Sequence, residues 1–277
     1  MLVTVQELSQ HLSDPNWVIF DCRHDLADFE KGARSYREGH VPSAHFAPVE
    51  AALSGVKTGT NGRHPLPRPE ALADFLGRHG VSAQSTIVVY DDVGGQYAAR
   101  LWWMARWIGL AQVALLDGGW PKWIAEGRSV TTEIPGPKPS PLTARPNPAL
   151  IWSADDVQKR IGDANSALVD ARTAERYRGE SEPIDRVAGR IPGALNRFFK
   201  LNLNPDLTFR APRDLRREFA ALLGDRKTES VGHQCGSGVT ACVNLFAMEY
   251  AGLPGSKLYA GSWSEWIADP ARPIAKG

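Results

Sequence analysis

The sequence predicts an α/β protein of two tandem domains, each a mostly parallel sheet flanked by helices. Three observations carry this prediction: an internal repeat, an alternation of strand-like and helix-like segments inside each copy, and a proline-dense connector between the copies. The repeat comes first. Val18-Ile-Phe-Asp-Cys-Arg23 returns as Ala167-Leu-Val-Asp-Ala-Arg172, with Asp21 and Asp170 149 residues apart. Gly39-His-Val-Pro-Ser-Ala44 returns 150 residues later as Gly189-Arg-Ile-Pro-Gly-Ala194. Asp117-Gly-Gly-Trp-Pro-Lys-Trp123 returns 143 residues later as Ala260-Gly-Ser-Trp-Ser-Glu-Trp266. Matches in constant order at a nearly constant offset mark a duplicated unit. The falling offset shortens the second copy by about seven residues, a loss expected between Ala194 and Cys235.

The elements follow in order. Trp17–Asp21 is a short apolar run ending on a polar residue, as a buried strand does. Thr86–Tyr90 is β-branched and aromatic, a strand composition. Gly94-Gly95 then leads into a helix over Ala98–Ile108, and Val113–Leu116 is the next strand. In the second copy the matching segments are strands at Ala167–Asp170, Glu229–Gln234 and Lys257–Tyr259, with a helix over Val239–Tyr250. Between the copies, Ile134-Pro-Gly-Pro-Lys-Pro-Ser-Pro holds prolines too dense for a helix or a central strand. The expected domains are therefore residues 1–133 and 150–277, joined by a stiff linker over 134–149.

Composition narrows the function classes. The 277 residues carry a net charge of +1, so no bulk field favours nucleic acid or an anionic membrane. No apolar run reaches the roughly 20 residues of a bilayer span, and no basic start precedes an apolar stretch. The expectation is a cytoplasmic protein without nucleic-acid or membrane partners. Its three cysteines, Cys22, Cys235 and Cys242, show no disulfide framework and no metal-ligand spacing, so no metal is expected.

Chemistry concentrates on Cys235-Gly-Ser-Gly-Val-Thr240. In a sheet of this kind, ligands sit outside the carboxyl ends of the strands. Cys235 lies there, at a strand end before a Gly-rich turn and a helix start. Gly236 and Gly238 let the backbone curl so that N–H groups point inward. The following helix adds a positive dipole end, and Ser237 and Thr240 add hydroxyl donors. Such a ring favours the thiolate, the nucleophilic form of cysteine. At the 143 offset the first copy carries Asp92 instead, so the scaffold occurs twice and the thiol once. The opposing reading is a small buried residue at a strand–helix turn. Phosphate chemistry is disfavoured, because the sixth position after the cysteine is Ala241 rather than an arginine.

Over its whole length the chain resembles the two-domain rhodanese-type sulfurtransferases. The residues that carry the resemblance are the Cys235–Thr240 loop, Gly39–Ala44, Ile191–Ala194 and Gly261–Trp266. The loop looks like that of the 3-mercaptopyruvate sulfurtransferases, since the thiosulfate branch has basic residues where Gly236 and Ser237 stand. The resemblance implies tandem rhodanese-like domains, the first catalytically degenerate. It implies an enzyme that moves sulfur through a Cys235 persulfide, with Ser237 catalytic and Gly236, Gly238, Val239 and Thr240 cradling the outer sulfur. It also implies two substrate-binding arginines in Arg176–Arg186; Arg176 matches the first, Arg186 the second if one residue is inserted, and Arg178 stands in reserve. No cofactor is implied. The donor would be 3-mercaptopyruvate, and the acceptor cyanide, a small thiol or a thioredoxin-like protein.

Alternatives stay open. Thiosulfate is one donor alternative, and a persulfide carrier for a partner protein is the other class of function. His40 either shares a network with Ser237 or caps its own turn. Arg190, standing where the first copy has His40, either changes the charge near the site or is an exposed turn residue. His233 either helps set the thiolate or is a buried strand residue. The repeated tryptophans Trp120, Trp123, Trp263 and Trp266 are expected in the core or between domains.

Overall fold

The computed structural model describes residues 1–136 and 138–277. They form two compact units: residues 1–55, 66–147 and 204–209 make unit 1, and residues 56–65, 148–203 and 210–277 make unit 2. The linker expected over 134–149 is thus divided. Ser140 donates its N–H to Gly77 O and Arg145 to Ile108 O, so this stretch packs along unit 1. Two short segments lie apart from their sequence neighbours: 56–65 belongs to unit 2 and 204–209 to unit 1.

Unit 1 runs β1 (Leu2–Val3), α1 (Val5–Gln10), β2 (Trp17–Asp21), α2 (Lys31–Glu38), β3 (His45–Phe46), α3 (Pro69–Arg78), β4 (Thr86–Tyr90), α4 (Ala98–Trp107), β5 (Val113–Leu116) and α5 (Gly119–Ala125). Among the described residues its sheet has five strands in the order β1-β5-β4-β2-β3, every pair parallel. Unit 2 runs α6 (Ala154–Lys159), β6 (Ala167–Asp170), α7 (Ala174–Arg178), β7 (Leu195–Asn196), α8 (Pro212–Leu223), β8 (Val231–Gln234), α9 (Ala241–Tyr250), β9 (Lys257–Leu258) and α10 (Ser262–Trp266). Its described sheet is β7-β6-β8-β9, also parallel. A parallel bridge from Ile151 to Leu258 takes the place that β1 holds in unit 1.

Local chemistry explains the boundaries. Thr4 caps α1 by accepting the Glu7 N–H, and Ser153 with Asp156 forms a reciprocal capping box on α6. Pro69 and Pro212 open α3 and α8, where a missing N–H leaves no hydrogen bond unmade. The strand expected from Glu229 begins at Val231, because residues 228–230 form a 3-10 turn. The helix expected from Val239 begins at Ala241; Gly238, at φ +76, and its neighbours are used by the turn. The two-residue strands β1, β3 and β7 are too short to leave a periodic signal.

The repeat also fixes the core. In each copy an arginine two residues beyond the first long strand is buried on an aspartate. Arg23 pairs with Asp21 at 2.6 Å and stacks on Trp120; Arg172 pairs with Asp170 at 2.7 Å and stacks on Trp263. Trp123 donates its indole N–H to Ser129 O, and Trp266 donates its own to Pro273 O. The duplicated tryptophans therefore serve the core of their own unit, in two clusters built around Ile19, Val88 and Trp123 and around Trp152, Tyr259 and Trp266.

Candidate functional site

Cys235 follows the end of β8 and is buried, with a relative exposure of 2%. Its sulfur accepts N–H groups from Gly238 at 3.1 Å and Ser237 at 3.5 Å. The loop faces this way because its carbonyls are tied off behind it: Trp263 N–H donates to Cys235 O and Ser264 N–H to Gly236 O. The Cys235 N–H donates to Ser262 Oγ at 3.1 Å, and that hydroxyl donates to Tyr259 O. Ser262 sits at φ +54, a conformation few non-glycine residues adopt. The Gly261–Trp266 motif is therefore the clamp behind the loop as well as part of the core. Gly238 has no room for a side chain, since a Cβ would lie 2.2 Å from Ala260 O.

Two residues that sequence reasoning missed complete the site. The Ser237 hydroxyl pairs with His64 Nδ1 at 2.8 Å, so it serves an imidazole rather than the sulfur. Beside it, Arg63 donates its backbone N–H to Ser264 Oγ and forms an ion pair with Asp185. Arg176, at the end of α7, donates to Glu182 at 2.7 Å and shares Asp185 at 3.1 Å. Both guanidiniums converge on Gly236: a Cβ there would lie 2.8 Å from Arg63 Nη2 and 3.4 Å from Arg176 Nη2. Glycine at 236 thus leaves space that two cations reach from elsewhere in unit 2. A signal for Arg63 and His64 exists in the sequence, because the first copy is longer than the second between β3 and α3, where these residues lie.

Electrostatics follow from this packing. Burial opposes the charge on Arg172, and Asp170 and Glu182 override it, so the guanidinium is held even more firmly protonated than usual. For Glu182, burial is likewise outweighed by hydrogen bonds, led by Arg176, and its carboxyl is lowered. Burial lifts the Asp185 carboxyl above its ordinary value, with Arg63 and Arg176 pulling the other way.

The first copy holds the same loop in a different state. Asp21 pairs with Tyr90 on β4 and Asp170 with Gln234 on β8, so the residue matching Cys235 is Asp91, not Asp92. The offset at these strands is 144, and the loop of unit 1 has one residue more before its helix, which restores 143 afterwards. One of the lost residues therefore falls after Cys235, not before it. The Asp91 carboxylate accepts N–H groups from Val93, Gly95, Tyr97 and Ala98 at 2.8–2.9 Å.

Other expected residues lie elsewhere. His40 is fully buried in unit 1, with Nδ1 2.7 Å from Tyr36 O and Nε2 3.1 Å from Glu133 O. Both ring nitrogens are committed to backbone, which corrects the expected network with Ser237; His64 fills that role. Arg186 donates to Ile267 O at 2.7 Å, its one hydrogen bond among the described residues, and Arg63 stands at Gly236 instead. Arg190 repeats the task of His40. Each residue forms an antiparallel bridge to a later segment, Arg190 to Ala275 and His40 to Thr131. Arg178 pairs with Glu180 at an exposed edge. Thr240 makes no side-chain cap for α9. Cys242 donates to Gly238 O at 3.4 Å from within α9. Burial, then Asp21 and Asp91, push the Cys22 thiol well up, so it stays protonated. His233 contacts Met248 Sδ on the buried side of β8.

Comparison with known proteins agrees with this geometry. The model of the rhodanese-like domain matches residues 4–126 and again 153–269. A probable 3-mercaptopyruvate sulfurtransferase of Pseudomonas aeruginosa is 47% identical over 100% of this chain and 98% of its own length. A putative thiosulfate sulfurtransferase of Mycobacterium tuberculosis is 37% identical over 100% of this chain and 97% of its own. Among solved structures, SseA from Escherichia coli, described as a 3-mercaptopyruvate sulfotransferase, superposes with a TM-score of 0.82 at 30% identity, covering 95% of this chain and 98% of that one. The chain belongs to the rhodanese family, as a two-domain sulfurtransferase.

Proposed function

We propose that the enzyme moves the thiol sulfur of 3-mercaptopyruvate to a thiol or cyanide through a persulfide on Cys235. The observation that carries this reading is the pairing of a sulfur held by the Ser237 and Gly238 N–H groups with two guanidiniums over Gly236. A small acid whose sulfur meets Cys235 has its carboxylate within the reach of Arg176 and Arg63. Arginine suits that task because its planar fork matches a carboxylate.

The first half-reaction is an attack by the Cys235 thiolate on the donor's thiol sulfur. A sulfur–sulfur bond forms, and the donor's carbon–sulfur bond breaks. Its electron pair passes into the carbonyl as the enolate of pyruvate, and the thiol hydrogen stays on the new persulfide. The enolate then takes one proton. Ser237, hydrogen-bonded to His64, is the group we assign to deliver it. The outer sulfur occupies the loop of Gly236, Gly238, Val239 and Thr240, where N–H groups stabilise its charge once it ionises. In the second half-reaction the acceptor's nucleophile attacks the outer sulfur, leaving with it and restoring the Cys235 thiolate. The chemistry needs reduced cysteines, and we assign the cytoplasm as its compartment.

Thiosulfate is the second reading, favoured by the same arginines, which would pair with a sulfonate as readily. Measuring kcat/KM for both donors with cyanide as acceptor decides between them; 3-mercaptopyruvate is expected to win by at least about tenfold. Mass spectrometry after donor treatment should show one added sulfur on Cys235 and none on Cys22 or Cys242. A mass shift that survives Cys235→Ser would overturn the reading. A persulfide that forms but passes quickly to one protein and to no small acceptor would make the molecule a carrier.

A further inference from the structure

The charged groups around Gly236 form a closed account. Arg63 pairs with Asp185, Arg176 with Asp185 and Glu182, and Arg172 with Glu182 and Asp170. Three cations meet three anions, so this network is neutral before any donor arrives. Asp170 and Arg172 repeat the buried pair of unit 1 and belong to the core. Glu182 also accepts the N–H groups of Ile184 and Asp185, which fixes it as the hub of its own turn. Asp185 is different. Its side chain is 4% exposed, and each of its oxygens is engaged by one of the two arginines that face the loop. It bridges the two guanidiniums and removes one unit of positive charge beside the nucleophile. Its Oδ2 would be 3.6 Å from a Cβ at Gly236.

We propose that Asp185 sets the donor's charge: by balancing Arg63 and Arg176 it fits the Cys235 site to monoanionic donors and disfavours dianionic ones. This rests on the reading above, in which a donor anion meets these arginines. The physical reason is that a donor arrives beside a thiolate. A keto acid brings one negative charge to a neutral network, whereas thiosulfate brings two. Coulomb energy scales with the donor's charge, so any change in net site charge acts twice as strongly, in free energy, on the dianion. Asp185 touches no donor atom in this scheme and is a positioning residue, acting through the two arginines. Arg63 enters from residues 56–65, in the stretch between β3 and α3 that is longer than its counterpart between β7 and α8.

The test compares wild type, Asp185→Asn and Asp185→Glu. Asn keeps the shape and removes the charge; Glu keeps the charge. For each, kcat/KM is measured for 3-mercaptopyruvate and for thiosulfate, and binding of pyruvate and of sulfate is measured by calorimetry. Asp185→Asn should raise kcat/KM about threefold for 3-mercaptopyruvate and about tenfold for thiosulfate, the square of the smaller factor. Binding of pyruvate and sulfate should tighten by the same two factors, and raised salt should shrink both. Asp185→Glu should restore the wild-type ratio between donors. Equal changes for both donors, or weakened binding of both anions in a variant with an unchanged Tm, would show that Asp185 only aligns the arginines and would overturn the proposal. If wild type took sulfur from neither donor, the sulfurtransfer reading of the site would fail; the pyruvate and sulfate titrations would still decide the role of Asp185.

Discussion

The two loops at the carboxyl ends of β4 and β8 are the same device in two states. Both follow the third-ranked strand of a parallel sheet, both turn on a glycine of positive φ, and both lead into a mostly buried helix. In unit 1 the inward N–H groups close on the Asp91 carboxylate, which takes four of them. In unit 2 they close on the Cys235 sulfur, which takes two. The loop is thus a cradle of N–H groups in both copies. In one the occupant is a carboxyl group fixed to the chain, and the cradle is saturated and structural. In the other it is a larger, softer atom that leaves donors over for a second sulfur. Under the proposed mechanism, what separates the catalytic copy from the other is whether the cradle's occupant can react.

The largest expected effect comes from exchanging the occupants. Cys235→Asp should leave the fold intact and reduce sulfur transfer to any acceptor by more than about 10⁴-fold, because the nucleophile of a covalent mechanism is gone. Residual turnover above that level, in protein freed of wild-type contamination, would place the persulfide elsewhere. The complementary change, Asp91→Ala, attacks stability instead. It strands four N–H groups, two buried and two partly buried, each costing about 1 kcal/mol or more when left without a partner. A loss of roughly 4 kcal/mol in urea unfolding is expected. A loss below about 1 kcal/mol would mean that the unit 1 loop refolds around water and does not depend on its carboxylate.

Much of this comparison was legible in the sequence, and the remainder has physical causes. The repeat, the long strands and the position of Cys235 are local features, written in apolar runs and glycine spacing. The equivalence of Asp91 was hidden because the offset changes by one inside the loop itself, where only strand pairing reveals it. Arg63 and His64 left only the extra length between β3 and α3 as a signal, because contacts made across more than a hundred residues leave no periodic trace. Arg186 matched the resemblance only with one residue inserted, and its guanidinium donates to the Ile267 carbonyl instead. His40 was equally plausible for a network or a turn, and two backbone carbonyls settled it.

A further contrast lies two residues before Asp91 and Cys235, within each strand. Val89 of β4 and His233 of β8 occupy matching positions, opposite Phe20 and Val169. His233 is fully buried, and burial lowers its imidazole to about 3. Its folded value is depressed, so the unfolded chain binds a proton that the folded chain refuses. The associated stability is complete above about pH 6.5 and is lost as pH falls toward 3. His233→Val should therefore reduce the drop in stability between pH 7 and pH 4.5 by about 2 kcal/mol, read as the difference between urea midpoints at the two pH values. Carboxylates common to both proteins cancel in that difference. An unchanged drop would mean that His233 is reached by water in the folded state.

The smallest effect on stability belongs to Gly236, and it tests whether the space over the loop is functional. Gly236 does not have a positive φ, so its backbone suits any residue. A methyl group there meets the side-chain ends of Arg63, Arg176 and Asp185, whereas one at Gly238 would meet the Ala260 carbonyl. Gly236→Ala should cost less than about 1 kcal/mol of stability, since a flexible side chain can yield. It should nevertheless push Arg63 off the loop and raise the KM for 3-mercaptopyruvate by about tenfold, with kcat less affected, because an ionic contact to the donor is weakened rather than the nucleophile. The matching residue in unit 1 is Asp92, and Asp92→Ala should leave both constants unchanged. If Gly236→Ala lowered kcat and left KM alone, the arginines would be acting on the sulfur transfer itself, and the cations would belong to the enolate rather than to the donor's carboxylate.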